Sequence, residues 1–398
     1  MASNHLISGL DIGTNNIKVL VAQETPQGLK PIFQIQEKSR GVRRGVVVEV
    51  DLVSQILGEI FSKIKKEIGQ KIEGVYVNVG GSHLFSFPSR GVISVSRADQ
   101  RISEEDVSRV LQAAQIFSLP SNKEVFFTLP KEFIVDGEGG IKDPVGLKGV
   151  RLEAEILAVG GFSPYLNNLS QAVLNADLEI LGMIPSAVAS AQGVLTPQQK
   201  ELGVALLDIG AGTTDLAVYE EGDLIHLAVL PIGANNITND IAIGLRTDVE
   251  IAERIKIEYG FCVFQGSNKR EKIDVGEEEP LVFSKKQLVK IIEARASQIF
   301  KEINKELKKI GKEKSLPSGV VLTGGCAKLP KIVELAKREF KLPVKIGKPP
   351  KKRELSEPSL AAVWGLVLSG EDLEKEKGPS FGKGFINKLK KFFKIFIP

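Results

Sequence analysis

The chain has 398 residues, of which 42% are hydrophobic and 26% are charged, with a formal net charge of +4. These are ordinary values for a globular protein, and so small a net charge gives no indication of a nucleic-acid partner. Two cysteines, Cys262 and Cys326, are too few for a disulfide framework or a zinc site. No run reaches the roughly 20 apolar residues of a membrane-spanning helix, and no secretory signal is visible. We therefore expect a cytoplasmic protein that is large enough for two domains.

The first predicted element is a hairpin in the segment GLDIGTNNIKVLVA, residues 9–22. An apolar strand ends in Asp11, turns through small and hydroxylated residues, and resumes as a second strand. The segment LLDIGAGTTDLAVY, residues 206–219, repeats the tripeptide Asp-Ile-Gly at Asp208. A single segment of this kind is usually a tight turn. Two copies with the same acid at the same point predict two related halves that face each other.

The residue types in both hairpins are suited to binding phosphate. Glycines let backbone N–H groups approach phosphate oxygens, threonine hydroxyls can donate to the same oxygens, and Lys18 can neutralise charge. Asp11 and Asp208 would repel a phosphate unless a hydrated Mg²⁺ lay between them, since a few carboxylates, phosphates and waters usually hold that ion. The hairpins therefore predict a phosphate site with Asp11 and Asp208 as the metal-binding residues.

Two segments between the second hairpin and residue 260 are candidates for nucleotide contacts. The segment PIGANNITNDIAIGL, residues 231–245, places Gly233 before a predicted helix whose N-terminus would offer a further anion site. The segment VEIAERIKIEYG, residues 249–260, is a predicted helix with Glu253 and Lys256 on one face. That pair is either a surface ion pair or a pair that binds a ribose.

A buried strand, a Gly-Gly turn and an amphipathic helix are predicted in GVVLTGGCAKLPKIVELAKREF, residues 319–340. Gly324 and Gly325 would let the backbone lie flat against a planar group such as adenine. An ordinary strand-to-helix turn is the alternative for this segment taken alone.

The last residues differ in composition from the rest of the chain. Residues 371–384 read as a charged linker with glycine and proline, and residues 385–398, FINKLKKFFKIFIP, follow it. On a helix, the apolar and basic side chains would separate into two faces. The apolar face holds Phe385, Ile386, Leu389, Phe392, Phe393 and Phe396, and the basic face holds Lys390, Lys391 and Lys394. This pattern predicts a helix lying in an anionic membrane surface, with docking on the chain's own domain or on a partner as the alternative.

These segments, in this order, resemble the actin-like ATPase superfamily. The hairpins resemble its two phosphate motifs, residues 319–328 its adenosine motif, and IPSAVASAQGVL and EPSLAAVWGLVLSG its two hinge helices. Within the superfamily the chain resembles the FtsA family of bacterial cell-division proteins. RGVVVEVDLV, VYVNVGGSHLFSFPSRGVISV, ISEEDVSRVLQAAQ and NDIAIGLRTDVEIAERIKIEYG all read like that family.

The resemblance implies an α/β fold with two lobes of ribonuclease-H-like subdomains and an inserted subdomain in the first lobe. The implied first lobe (1A) comprises residues 1–83, 162–196 and 350–370, with the insert (1C) at 84–161. The second lobe (2A) comprises residues 197–246 and 315–349, with a small subdomain (2B) at 247–314.

The resemblance also implies binding of ATP and Mg²⁺, with Asp208 or Gln192 orienting the attacking water. The implied nucleotide-binding residues are Gly13, Thr14, Asn15, Lys18, Gly210, Gly212, Thr213, Thr214, Gly233, Glu253, Lys256, Gly324, Gly325 and Lys328.

The partners that the resemblance implies are FtsZ, further copies of the chain, the cytoplasmic membrane at the division site and later division proteins. Two alternatives remain open at this point. A pilus-assembly actin homologue of the PilM type would share the inserted subdomain, and an actin-fold small-molecule kinase would share the ATP cleft.

Overall fold

The computed structural model describes residues 5–264, 270–273, 281–350 and 355–375. The elements of the first lobe begin with a three-stranded meander, a short hairpin whose strands have two residues each, and a long helix. In chain order they are β1 (Leu6–Ile12), β2 (Asn16–Thr25), β3 (Gly28–Lys38), β4 (Val42–Arg43), β5 (Val46–Val47), α1 (Val50–Ile68) and β6 (Gly74–Val79).

The inserted subdomain follows as a separate sheet of order β7-β10-β8-β9 with one helix. Its elements are β7 (Phe85–Ser94), α2 (Glu104–Ala114), β8 (Lys123–Val135), β9 (Glu138–Ile141) and β10 (Arg151–Phe162). The chain then returns to the first lobe through α3 (Ser163–Leu174), β11 (Glu179–Pro185) and α4 (Ser186–Val194).

The second lobe repeats the meander and adds more helices. Its elements as far as α7 are α5 (Pro197–Leu202), β12 (Val204–Ile209), β13 (Thr214–Glu220), β14 (Asp223–Leu230), α6 (Ala234–Leu245) and α7 (Val249–Tyr259). The remaining elements are β15 (Arg270–Ile273), β16 (Leu281–Ser284), α8 (Lys285–Lys309), β17 (Val320–Thr323), a 3₁₀ turn (Gly325–Lys328), α9 (Ile332–Phe340), β18 (Val344–Ile346), a second 3₁₀ turn (Pro358–Leu360) and α10 (Ala361–Lys375).

The two lobes have the same sheet topology. The first sheet runs β3-β2-β1-β6-β11 and the second runs β14-β13-β12-β17-β18, each with an antiparallel meander followed by two parallel neighbours. The predicted hairpins are β1–β2 and β12–β13, so they occupy the same place in each sheet. The prediction of two related halves is therefore confirmed at the level of the fold.

The helices α4 and α10 cross between the lobes. A Cβ placed on Gly365 of α10 would lie 1.6 Å from Ala189 O of α4, and one on Gly193 would lie 2.2 Å from Ala361 O. Because only glycine lets the backbones approach so closely, these two residues set the spacing of the helices. The helix α10 also packs on β1, β2 and β6 of the first lobe.

Residues 371–375, which the sequence predicts to be linker, belong to α10 instead, because that helix continues to Lys375. Tyr76 OH donates to Glu374 Oε1 at 3.1 Å, and His5 contacts the same carboxylate. Glutamate and lysine are good helix formers, and these contacts hold the last turn on the first lobe. None of the helices in the described ranges is both long and apolar enough to cross a bilayer.

Candidate functional site

In the first hairpin, Asp11 and Lys18 are direct cross-strand partners. Lys18 Nζ donates to Asp11 Oδ2 at 2.8 Å, and Asn78 of β6 donates to Asp11 Oδ1 at 2.9 Å. Burial acts to lower the pKa of Lys18, but the nearby carboxylates, above all Asp11, outweigh burial and raise it. Lys18 is thus held as a cation beneath the turn. Asn78 is a partner that the hairpin pattern did not predict.

In the second hairpin, the residue opposite Asp208 is another acid, Asp215. Thr213 Oγ1 donates to Asp215 Oδ2 at 3.0 Å, while Asp215 Oδ1 is buried without a hydrogen-bond partner in the described part of the chain. Burial, followed by the charge of Asp208, raises the pKa of Asp215 to about 8. Burial is also the main reason why the pKa of Asp208 is raised to about 6, with Asp11 adding to it. Sequence reasoning missed Asp215, although its seven-residue spacing from Asp208 equals that of Lys18 from Asp11.

The helix α4 presents Ser190 to this carboxylate cluster, and Ser190 Oγ donates to Asp208 Oδ2. Gln192 lies on the other side of the same helix, since residues two positions apart in an α-helix point about 200° away from each other around its axis. Its amide donates to Asp372 Oδ2 at 3.0 Å and accepts from Lys200 Nζ at 3.0 Å. Gln192 therefore does not contact the carboxylate cluster in this structure, whereas Asp208 belongs to it.

The turns of the two hairpins carry backbone amides at their tips. Gly13 N and Gly210 N close the turns by donating to Asn16 O at 3.1 Å and to Thr213 O at 2.9 Å. The amides of residues 14–15 and 211–213 have no acceptor among the residues that the structure describes. The donors available to a phosphate are therefore those that follow the two glycines, rather than the amides of the glycines themselves.

The tips of the two hairpins meet each other. A Cβ on Gly212 would lie 2.6 Å from Thr14 Oγ1, so only glycine fits at this contact between the lobes. Thr14 Oγ1 accepts from Gly45 N at 2.8 Å, which leaves its hydroxyl hydrogen available to a ligand. Asn15 Oδ1 accepts from Lys38 Nζ at 2.8 Å.

Thr214 and Gly233 differ from what the sequence predicts. Thr214, the first residue of β13, points into the lobe, where it is fully buried and donates to Ile232 O at 2.7 Å. The Thr214 hydroxyl therefore faces away from a phosphate. Gly233 packs against the second turn, where a Cβ would lie 2.6 Å from Ala211 O.

The prediction of an anion site at the start of α6 is also wrong, because the amides there already have acceptors within the protein. Ala234 N and Asn235 N donate to the carbonyls of Gly210 and Ala211 at 2.9 and 2.8 Å. The first amides of the helix are therefore occupied by the second hairpin, and they hold its turn in place.

The Gly-Gly segment lies beside the same cluster. Gly324 has a φ of 84°, and a Cβ there would lie 2.3 Å from Asp208 Oδ1. A Cβ on Gly325 would meet nothing within 4 Å, which leaves open space on that side of the turn. Lys328 is exposed and pairs with Glu357, whose pKa is lowered first by that hydrogen bond.

Glu253 and Lys256 form a network with Thr238 of α6. Lys256 Nζ donates to Glu253 Oε2 at 2.6 Å and to Thr238 Oγ1 at 2.8 Å, and Thr238 also contacts Glu253. Lys256 is buried, whereas the Glu253 side chain is 37% exposed. Glu253 is therefore the more accessible member of the pair, and Lys256 holds it in place. Both are close enough to Cys326 of the Gly-Gly segment to influence its pKa.

The arrangement can hold a metal-bound polyphosphate. Within the described ranges, no three His, Cys, Asp or Glu side chains are grouped to bind a metal directly. Asp11 and Asp208 contribute carboxylates from opposite lobes, and Asp215 lies buried opposite Asp208 in the hairpin. Such a set suits an ion that keeps several of its waters, as Mg²⁺ does. The predicted membrane residues, from Phe385 to Phe396, lie outside the described residues.

Comparison with known proteins identifies relatives over most of the chain. The family described as cell division protein FtsA matches residues 205–365, and the SHS2 domain inserted in FtsA matches residues 81–159. FtsA of Pseudomonas aeruginosa is 36% identical over 376 residues, which cover 92% of this chain and 90% of that protein. FtsA of Bacillus subtilis is 36% identical, covering 88% and 80%, and FtsA of Escherichia coli is 31% identical, covering 92% and 90%.

Similar solved structures support the fold at much lower identity. A chain of the PilM-PilN type IV pilus biogenesis complex superposes with a TM-score of 0.65 at 16% identity, covering 92% of this chain and 98% of that one. MreB5 of Spiroplasma citri bound to ADP gives a TM-score of 0.58 at 16% identity, covering 94% and 99%. These likenesses show an actin-like fold, and the relatives over most of the chain show the family. The chain belongs to the FtsA family of cell division proteins.

Proposed function

We propose that this chain binds ATP with Mg²⁺ between its two lobes and assembles with further copies on the cytoplasmic membrane at the division site. There it tethers FtsZ and helps to recruit later division proteins. The observation that carries the nucleotide part is the matched register of the two hairpins, which sets Asp11 opposite Lys18 and Asp208 opposite Asp215. Four ionisable side chains from both lobes thus converge on one cleft.

The metal site would use Asp11 and Asp208, with Asp215 behind them. Bound Mg²⁺ would supply the positive charge that offsets repulsion between these carboxylates and a triphosphate. Asp208 is positioned by Ser190, and its carboxylate can accept a hydrogen bond from a water beside the metal. It is therefore the residue that we assign to orienting the attacking water.

The phosphates would be bound by the turn amides of both hairpins and by Lys18, together with the Thr14 hydroxyl. The open side of Gly325 would face adenine, with Glu253 at the ribose. Asn15, Thr213 and Lys328 have protein partners here and would contribute as neighbours of these groups.

The membrane and FtsZ parts of the proposal rest on the sequence and the family. Residues 385–398 have apolar and lysine faces, and several such segments on one polymer would bind a membrane more firmly than one. The pilus-assembly alternative has only fold-level support, because the PilM likeness has 16% identity. No observation favours a small-molecule kinase.

The nucleotide site is tested by measuring the dissociation constant for Mg-ATP of the full chain. We expect Asp208→Ala to weaken binding about tenfold or more, since it removes a charged partner from a buried site. Asp51→Ala, at an exposed acid in the first turn of α1, is the control and should leave the constant unchanged. An Asp208→Ala variant that binds as tightly as wild type would contradict the assignment.

A further inference from the structure

The hairpin β4–β5 has an arginine in an unusual backbone conformation at its tip. Arg43 pairs with Val46, so Arg44 and Gly45 form a two-residue turn with φ values of 49° and 75°. Turns of this type need positive φ at both positions and favour asparagine, aspartate or glycine. Gly45 meets this need without strain, whereas Arg44 does not. A strained residue held by its surroundings is a reason to look for a function at that position.

The tip of this hairpin lies where the two lobes meet. Gly45 N donates to Thr14 Oγ1 at 2.8 Å in the first hairpin. A Cβ on Gly212 of the second hairpin would lie 3.0 Å from the Cα of Arg44. The backbone of Arg44 is therefore fixed against both turns whose amides are available to phosphates.

The charge of Arg44 is not used by the protein around it. Its side chain is exposed, and it forms no ion pair with any residue in the described ranges. By contrast, the cation at the floor of the cleft, Lys18, is buried and committed to Asp11. A second, unpaired cation thus stands at the mouth of the same cleft.

We propose that Arg44 contacts the terminal phosphate of the bound nucleotide and so distinguishes ATP from ADP. This inference rests on the proposed nucleotide binding. A guanidinium binds phosphate oxygens through two parallel hydrogen bonds, and it is long enough to reach past its own turn to the meeting point of the hairpins. Arg44 belongs to the first lobe and Gly212 to the second. A phosphate bound by Arg44 at the point where the two lobes meet therefore also favours their closed arrangement.

The test compares Mg-ATP and Mg-ADP binding by titration calorimetry on the full chain. Arg44→Asn is the main variant, since asparagine tolerates positive φ and the turn can still form. We expect its dissociation constant for Mg-ATP to rise about tenfold or more, as for a lost charge-assisted hydrogen bond, and that for Mg-ADP to change less than about twofold. Arg44→Lys should recover part of the preference for ATP.

Arg43→Asn is the matched control, because Arg43 is also exposed and adjacent, yet lies on the strand rather than at the tip. It should leave both constants within about twofold of wild type, since salt screens an exposed charge that makes no direct contact with the ligand. The inference is overturned if Arg44→Asn weakens ATP and ADP equally, or if Arg43→Asn matches it. Wild-type protein that binds neither nucleotide would overturn the proposed function as well, so the two failures are distinguishable.

Discussion

Asp208 and Asp215 are cross-strand partners in the second hairpin, at the register that Asp11 and Lys18 occupy in the first. One lobe therefore places an acid opposite a base, and the other places an acid opposite an acid. Burial raises the pKa of both acids in the second pair, and a neighbouring charge adds to each: that of Asp11 for Asp208, and that of Asp208 for Asp215. Without a bound cation, this side of the cleft holds protons at pH values where carboxyl groups are normally ionised.

The first prediction concerns pH and stability in the absence of metal. The folded-state pKa of Asp215, about 8, lies above the ordinary value of 3.8. Between these values the folded chain binds a proton that the unfolded chain releases, so this stabilisation is lost as pH rises towards 8. Asparagine cannot titrate, so the melting temperature of Asp215→Asn should fall less steeply across this range. Thermal melts in chelator at a series of pH values check this, and parallel curves for the two proteins would count against it.

The second prediction concerns the buried ion pair of the first hairpin. Lys18→Met leaves Asp11 buried with only Asn78 as a partner. We expect the free energy of unfolding at neutral pH to fall by about 3–5 kcal/mol, because a buried charge loses its counter-charge. Urea denaturation measures this. The exposed pair of Lys63 and Glu37 provides the control, since Lys63→Met should have no resolvable effect. Equal losses in the two variants would contradict the role of burial.

The third prediction concerns the crossing of α4 and α10. Gly365→Ala places a methyl group against Ala189 O, so the helices must separate, and we expect a loss of about 1–3 kcal/mol or more. The control is Gly58→Ala in α1, where a Cβ meets nothing within 4 Å. That change should stabilise the protein by about 0.5–1 kcal/mol, because alanine loses less entropy in a helix. Denaturation curves that shift in the same direction for both variants would rule out the close crossing.

The fourth prediction concerns residues 385–398. Removing them should release the protein from liposomes of anionic lipid, as measured by co-sedimentation. Replacing Lys390, Lys391 and Lys394 with glutamate should weaken binding in a salt-dependent way, since each lysine near such a surface contributes about 1 kcal/mol. Liposomes of neutral lipid serve as the control. Undiminished sedimentation after the deletion would refute a membrane role for this segment.

The two-lobe fold and the floor of the cleft could be predicted from the sequence because the hairpin repeats. The same acid at the end of the same strand identifies Asp11 and Asp208 without knowledge of the rest. Asp215 was missed because a single sequence does not reveal which residue a strand places opposite its acid. The residue opposite the acid follows from the register of the hairpin, and the register follows from the length of the turn.

The residues that were assigned differently depend on which face of an element points to the cleft. Gln192 and Ser190 are two positions apart on one helix, and only the helix phase decides that Ser190 meets Asp208. The sequence predicts phosphate binding for both Thr213 and Thr214, yet alternation along β13 turns the Thr214 side chain inward. Gly233 was expected to lie near phosphate, but its backbone supports the turn instead. The chain's local pattern specifies the elements, and tertiary packing specifies these orientations.

The contacts of Tyr76 and His5 with Glu374 also have a mechanical consequence. They fasten the end of α10 to the first lobe, so Lys375, the last residue that the structure describes, is held at that lobe. A pull applied beyond Lys375 would therefore load the first lobe directly, and it would reach the second lobe through the crossed helices and through the contact between the hairpin tips. Part of that force would bear on the Gly365 and Gly193 contacts between α4 and α10.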